Sequence, residues 1–429
     1  MNTEKGQDIL DLIVIGGGLM GSAVAWHLAK QGIKILLIEK QESEYVEGSS
    51  FGEARIARSL GSAKDIFSYL HNQAVAETQE LIQFLNQSSL REIHHIDEIY
   101  TTSPVTYIYY SQAKQAVFKL LSRQQDIYEI STSAQEAMDK FGMSVSDDAI
   151  VIREYKPYSG TINPKELIHK LHLGIEKKGS EIRYKQKVHS IKNQENVFKI
   201  QATDGKTGMT YILNSKKIVL AAGPYTGELM TDIAPYFKKL IYPRRVPLMF
   251  LKIKPEVYFK MTDQQKARLN DFYPVIDMTD DLMYSMIEKW DELNLPIFKI
   301  GAHYHRSKID DLDEVWKKEV SEKEIKWGLS KTAEYLNRIN IPVQPRDLVF
   351  IKGYSCVYSL CANEIPIVSS ILNIDNKANS NAVVMAAMSG IGAKGAMTYG
   401  RFGADLILQR EEKEEMYVKT KTALGRERL

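Results

Sequence analysis

The apolar positions of this chain change their spacing wherever glycines cluster. Asp11 to Ile15 is a short unbroken apolar run, the pattern of a parallel strand buried on both faces. Gly16-x-Gly18-x-x-Gly21 follows, and Ala23, Ala25, Leu28 and Ala29 then mark a helix that Gly32 stops. Ile33 to Ile38 is a second apolar run, with Glu39 at its end. The scheme recurs twice. Lys216 to Tyr225 (KKIVLAAGPY) predicts a strand entering a small-residue turn. Ala382 to Ala386 predicts a buried strand, Ser389 to Gly395 a glycine loop, and the residues up to about Leu408 an amphipathic helix. Elsewhere IYPRRVPLMFLKIK and PIFKIGAHYH read as strands, and TDQQKARLNDF and SEKEIKWGLSKTAEYLNRI as amphipathic helices.

The opening unit carries a physical programme. Its first glycine permits a tight turn, its second lets a pyrophosphate approach the backbone, and its third lets helix pack on strand. Free N–H groups and the positive dipole end of the helix then face the phosphates. Glu39 is placed to accept hydrogen bonds from a ribose diol, and its charge repels a 2′-phosphate, which favours FAD or NAD over NADP. A lone glycine fingerprint is weak; strand, glycines, helix, second strand and terminal acid in order are specific. Three strand-to-glycine units spread along the chain suit a long cofactor held by a discontinuous domain, although either later unit alone reads equally as an ordinary crossover.

Composition narrows the setting. A chain of 429 residues predicts two domains, and 44% apolar with 26% charged residues is ordinary for a soluble protein. Fifty-six basic against 54 acidic side chains give no electrostatic case for nucleic acid or a membrane surface. The first residues lack the pattern of a secretory leader, and no apolar run approaches the ~20 residues that span a bilayer. A soluble, cytoplasmic protein is expected. There Cys356 and Cys361, the only two cysteines, stay reduced, and C-x4-C lacks a second ligand pair for zinc. His303-x-His305 invites a metal reading, but no clustered acids at ligand spacing accompany it, so no metal site is expected.

Four further segments resemble the monomeric sarcosine oxidase family of flavin-dependent amine oxidases, within the D-amino-acid-oxidase-like superfamily. Gly48 to Arg58 (GSSFGEARIAR) is similar to that family's G-S-S-H-G-x-T-R-x-x-R. Phe298 to His303 (FKIGAH) is similar to L-K-x-G-x-H, Ser355 to Ser359 (SCVYS) to C-x-Y-T, and Met388 to Lys394 (MSGIGAK) to F-S-G-x-G-x-K. They occur in family order; residues 85–158 and 231–347 match in general layout only.

The resemblance implies an α/β fold: a Rossmann-like FAD-binding domain interleaved with an α+β substrate domain on a mostly antiparallel sheet. The expected segments are 1–85, 158–228 and 350–410 for FAD, 86–157 and 229–349 for substrate, and a charged tail, 411–429, read as a frayed helix or disordered end. It further implies that Cys356 tethers FAD through a thioether to the 8α-methyl; the bland alternative for Cys356 is a small buried hydrophobe. Arg58 and Lys394 match the positions that clamp a substrate carboxylate, each charge-assisted bond contributing about 1.5–3 kcal/mol. Arg55 matches an arginine near the reactive flavin face. Lys299 matches a lysine bonded through water over flavin N5, whose charge stabilises incipient superoxide. His303 matches a pocket histidine, and Tyr358 and Tyr284 are expected as aromatic walls. The expected cofactor contacts are Gly16, Gly18, Leu19, Met20, Gly21, Glu39, Lys40, Ser49, Ser50, Arg55, Val188, Ala222, Gly223, Cys356, Gly390, Gly392 and Lys394. The bland alternatives are a solvated helix face for Arg55 and Arg58, and surface lysines for Lys299 and Lys394.

Two family histidines are replaced here, by Phe51 and Ile391, and the segment from Leu282 to Gly301 is longer than the family's. A bulkier or more apolar substrate than sarcosine is expected. The implied activity is oxidation of a secondary or cyclic amino acid to an imine, with O2 reduced to H2O2. A dehydrogenase passing electrons to a quinone or protein acceptor is the alternative, and a flavin-bound accessory subunit a third reading. With every motif on one chain, the set is compatible with a monomer.

Overall fold

Strand β1 (Ile9–Ile15) pairs in parallel with Thr210–Leu220 on one side and with β2 (Leu36–Ile38) on the other. Between them runs helix α1 (Leu19–Lys30), whose Ala23, Val24, Ala25 and Leu28 are fully buried. This is the computed structural model of the chain, and it describes residues 9–43, 48–58, 65–88, 92–113, 127–279, 282–303, 305–372 and 378–425. The parallel set extends through Ala378–Ala386 at one end and Glu181–Arg183 at the other; with Gln186–Gln194, Val197–Asp204 and Ile367–Leu372 added antiparallel it becomes an eight-stranded sheet. The strands that read as unbroken apolar runs are those buried on both faces, as doubly covered parallel strands must be.

The second sheet has nine strands, among them Tyr242–Ile253, Met283–Trp290, Pro296–Ala302 and Ala149–Glu154. All its pairings are antiparallel except that of Val275–Asp277 with Val105–Tyr110. Helix Glu322–Arg338 packs on it, started by a capping box in which Ser321 and Glu324 satisfy each other's backbone N–H. A three-stranded sheet joins β3 (Arg55–Ala57) and Tyr100–Thr102 to either side of Gly160–Ile162. Arg55 therefore lies on a strand, and the helix-face alternative for Arg55 and Arg58 does not hold.

Two boundaries differ from the sequence reading. Leu348–Leu360 pairs with Tyr242–Ile253 along its whole length, so residues 350–360, and Cys356 with them, belong to the second sheet rather than to the cofactor-binding layer. Its first half is mostly exposed or half-buried and its last six residues are all buried, so neither periodicity nor a glycine marks the boundary. The charged tail is also not a frayed end as far as it is described. Glu415–Leu424 is a helix whose Tyr417, Thr420, Ala423 and Leu424 are buried. Tyr417 packs on Phe402 at 4.6 Å and donates to Asp405 Oδ2 (2.8 Å), and Tyr69 donates to Glu414 (2.7 Å). A few apolar anchors at helical spacing outweigh a charge-dense composition; residues 426–429 lie outside the described region. Among the described residues no helix is long and apolar enough to cross a membrane.

The docked helix gives a direct expectation for stability. Deleting residues 411–429 strips Tyr417 from Asp405 and Phe402 and lowers the thermal midpoint, and Tyr417→Phe, which leaves the buried Asp405 unpaired, costs about 1–3 kcal/mol. Calorimetry of both variants checks this; an unchanged midpoint for the truncation is the contrary result.

Candidate active site

The glycine turn after β1 is built without room for side chains. A Cβ on Gly21 would lie 1.7 Å from the Gly16 carbonyl oxygen, and one on Gly16 would lie 2.5 Å from that of Ala221. Helix α1 starts at Gly18 with no side-chain cap, and Leu19 N–H donates to Ser50 Oγ at 3.2 Å. The helix end thus offers backbone donors and its positive dipole to an anion. At the tip of β2 the Glu39 carboxylate, 5% exposed, accepts from Gly17 N–H (2.6 Å) and Gln41 N–H (2.9 Å). Burial pushes its carboxyl up, against the pull of those N–H groups. It both braces the glycine turn and keeps acceptor capacity for a diol.

From this turn a cavity of about 620 Å³ runs to the face of the second sheet. Around the glycine turn it is lined by Gly16, Gly18, Leu19, Met20, Glu39, Lys40, Val188, Ala222 and Gly223, and its lining also includes Ser49, Ser50, Arg55 and Cys356. Arg58, Tyr284, His303, Tyr358, Gly390, Gly392 and Lys394 line it as well. The residues expected at the cofactor and substrate positions are thereby brought to one cavity, with two exceptions. Gly21 is not on the wall and acts through helix packing. Lys299 is also absent from the wall: it is 0% exposed, and its Nζ donates to Ala54 O (2.8 Å) and Glu288 Oε2 (2.9 Å). Both bland lysine alternatives fail, since neither Lys299 nor Lys394 is solvated.

Glycines let the two tyrosines reach the cavity. Gly301 lies opposite Tyr284 in the strand register, and a Cβ there would meet the Tyr284 hydroxyl at 2.6 Å. Gly390, at φ +76, would meet the Tyr358 ring at 2.5 Å. Burial pushes Tyr358 up to about 12, and burial likewise raises Tyr284. Cys356 is 4% exposed; burial raises its thiol pKa, and Arg55 and Lys299 oppose that shift. His303 sits 5.3 Å from Tyr358, ring centre to ring centre. Burial and the neighbouring Arg306 hold its pKa down to about 4, and Arg306 Nη2 donates to its Nε2 (2.9 Å), so the imidazole is neutral with its proton on Nδ1. Burial, with Arg58 second, brings Lys394 down to about 7.

The cations are not left alone in a low dielectric. Glu154, 0% exposed, accepts from Tyr107 (2.6 Å) and Ser159 (2.6 Å), and the Arg58 guanidinium lies 5.5 Å from the centre of the Tyr107 ring. Glu364 pairs with Arg306. Glu154, Glu288, Arg306 and Tyr107 escaped the sequence reading because each stands in a strand or connection without motif, where only spacing to an unknown partner marks it. The same holds for Met278, Met283, Met286 and Met388, which are among the residues lining the cavity, as is Ile391. Phe51 does not line it; its ring packs edge-on against Tyr354 at 5.2 Å.

A dinucleotide cradle opening into a cation-ringed, apolar cavity defines a flavin-type oxidoreductase. The FAD dependent oxidoreductase profile (DAO) matches residues 11–406, and the chain belongs to this family. It is an FAD-dependent oxidoreductase of the amino-acid-oxidase type. It is similar to monomeric sarcosine oxidase of Bacillus sp. (strain NS-129), with 24% identity over 413 residues and 92% of each chain covered. Its fold is like that of NikD, an unusual amino acid oxidase essential for nikkomycin biosynthesis (TM-score 0.69, 16% identity, 97% of both chains). It is also like that of L-proline dehydrogenase from P. horikoshii (TM-score 0.69, 14% identity, 96% of this chain and 97% of that one). The residues present fit FAD, since Gly16 and Gly21 leave no room for a Cβ and the uncapped helix end and Glu39 supply the donors and acceptors it requires.

Gly21→Ala forces a Cβ into the Gly16 carbonyl. Purified Gly21→Ala protein is expected to carry no flavin by visible absorbance; a full flavin complement contradicts the cradle.

Proposed function

We propose that this protein oxidises a secondary (N-alkyl) or cyclic amino acid bearing a bulky apolar group to an imine, with O2 as electron acceptor and H2O2 as product. The single observation behind this is the lining of the cavity, which brings Arg58 and Lys394 together with several methionines, Ile391 and two tyrosines. FAD, which the Gly16–Gly21 turn and Glu39 would hold, would supply hydride acceptance from the substrate and two-electron transfer to O2. The rest falls to the chain. Arg58 and Lys394 hold the substrate carboxylate by charge-assisted bonds. The methionines, unbranched and polarizable, accommodate an irregular apolar side chain. Arg55, Arg58 and Lys394 disfavour a further positive charge in the cavity, so the substrate amine is held unprotonated, as hydride loss requires. Neutral His303 orients that amine, and Cys356, on the cavity wall, tethers the cofactor. The cofactor-binding layer and the substrate layer meet along this cavity, and one chain carries the whole site.

One observation favours a second reading, a dehydrogenase with another electron acceptor. Lys299, the cation assigned to oxygen activation, is paired with Glu288 behind the wall. Anaerobic mixing with N-alkyl and cyclic amino acids that carry apolar side chains is expected to bleach the flavin, and air to restore it with one H2O2 per imine. Flavin that stays oxidised with all of them sinks the proposal; bleaching without reoxidation by air selects the dehydrogenase. Acid precipitation is expected to leave flavin in the pellet, and in the supernatant for Cys356→Ala.

The Lys394 value sets a pH expectation. Its charged form binds carboxylate and is lost as pH rises through about 7, so an unreactive carboxylate ligand binds more weakly above neutrality. Spectral titration across pH measures this. Lys394→Met flattens the dependence and weakens binding about 10- to 100-fold; a dependence that survives Lys394→Met assigns it to another group.

A further inference from the structure

The segment Met283–Trp290 carries an irregularity exactly where a carboxylate enters the interior. Its register against Pro296–Ala302 shifts between Ile287 and Lys289, leaving Glu288 as the extra residue of a bulge. Bulges re-aim a side chain, and here the carboxylate turns inward. Glu288 Oε2 accepts from Lys299 Nζ (2.9 Å), and Oε1 accepts from Glu53 N–H (2.6 Å). Lys299 in turn donates to the carbonyl of Ala54 (2.8 Å). The two side chains therefore grip the turn that leads into Arg55 from both its N–H and its C=O side. Gly52 makes the turn possible: at φ +104 its missing Cβ would lie 3.0 Å from both Glu288 Oε1 and Arg55 Nη1, and 3.3 Å from Lys299 Nζ.

We propose that Glu288 is a positioning residue for the flavin site: from its bulge it ties Lys299 and the Gly52–Arg55 turn into one charge-paired unit, and so sets the charge that Lys299 presents to the bound cofactor. The inference rests on the reading of the cavity as an FAD site and adds a residue that reading did not contain.

The electrostatics agree with the geometry. Burial and then Arg55 press Lys299 down to about 7, and Glu288 acts in the opposite direction. Burial works against the Glu288 charge, but Lys299 and Arg55 outweigh it and hold the carboxyl below its usual range. The other groups that face the pair are the Cys356 thiol, which favours the ammonium, and Tyr354, whose hydroxyl accepts from Arg55 at 3.4 Å. Lys352 lies 5.1 Å and Lys299 5.6 Å from the centre of the Phe250 ring, and Lys289 pairs with Glu53 at 3.8 Å on the outer side. Glu288 is the carboxylate hydrogen-bonded to Lys299, so without it the lysine faces Arg55 unscreened and gives up its proton at lower pH.

The test is the midpoint potential of the bound flavin measured against pH, a readout independent of turnover. In the wild type an inflection near neutrality is expected, and its loss in Lys299→Met assigns it. Glu288→Gln is expected to move that inflection down by about one pH unit or more, and Glu288→Asp, which keeps the charge on a shorter arm, to move it the same way by less. If Glu288→Gln does not fold, the Glu288→Asp shift decides. Inflections unchanged from the wild type overturn the proposal, as does an inflection that survives Lys299→Met in a Lys394→Met background, which removes the other lysine held near 7. A wild-type protein that binds no flavin is a different failure, that of the FAD reading itself.

Discussion

Four cationic side chains, Arg55, Arg58, Lys299 and Lys394, are held around one largely apolar cavity, and the architecture depends on making that burial tolerable. A lone buried charge is costly by several kcal/mol and ordinarily sheds its charge instead. Two buried carboxylates on the second sheet answer this: Glu288 pairs with Lys299, and Glu154 stands beside Tyr107 near Arg58 and Lys394. Neither lysine is fully compensated, since both are pressed to about 7. A site whose cations are on the edge of losing their protons is suited to binding an anion and to responding as charge builds on a cofactor.

That arrangement explains why the chain interleaves its layers. The glycine turn, Glu39 and the Met388–Lys394 loop come from ends of the parallel sheet, whereas Cys356, Tyr358, Tyr284 and His303 come from the antiparallel one. Arg55 and Arg58 enter on the small sheet between them. Each layer supplies one wall, and the cavity exists only where the layers meet. Long-range pairings such as Arg245 with Glu324 (2.6 Å) brace the second layer behind the Cys356 strand, where Arg245 Nε also donates to Ser355 (2.6 Å).

What the sequence revealed follows from the same geometry. The cofactor cradle was legible because its residues are contiguous and each glycine answers a local steric demand, so Gly16, Gly18 and Gly21 read as a unit with Glu39. Arg58, His303, Tyr358 and Lys394 were legible through short segments that resemble a family. Glu288 and Glu154 were not, because their meaning lies in partners far along the chain, and a bulge that turns one glutamate inward leaves no periodic trace. Lys299 was placed on the cavity by resemblance and stands behind its wall because Glu288 holds it there. The boundary at residue 350 and the tail failed for a related reason: strand pairing over Leu348–Leu360 and the anchoring of Tyr417 are tertiary facts.

The central claim is that flavin and an amino acid share this cavity, with the carboxylate held by Arg58 and Lys394. The most direct measurement is a crystal structure of the flavin-loaded protein with an unreactive N-alkyl carboxylate bound. The account expects the isoalloxazine ring beside Cys356 and the ligand carboxylate within hydrogen-bond distance of Arg58 and Lys394. A carboxylate bound elsewhere, or a cavity closed to the ligand, would contradict it.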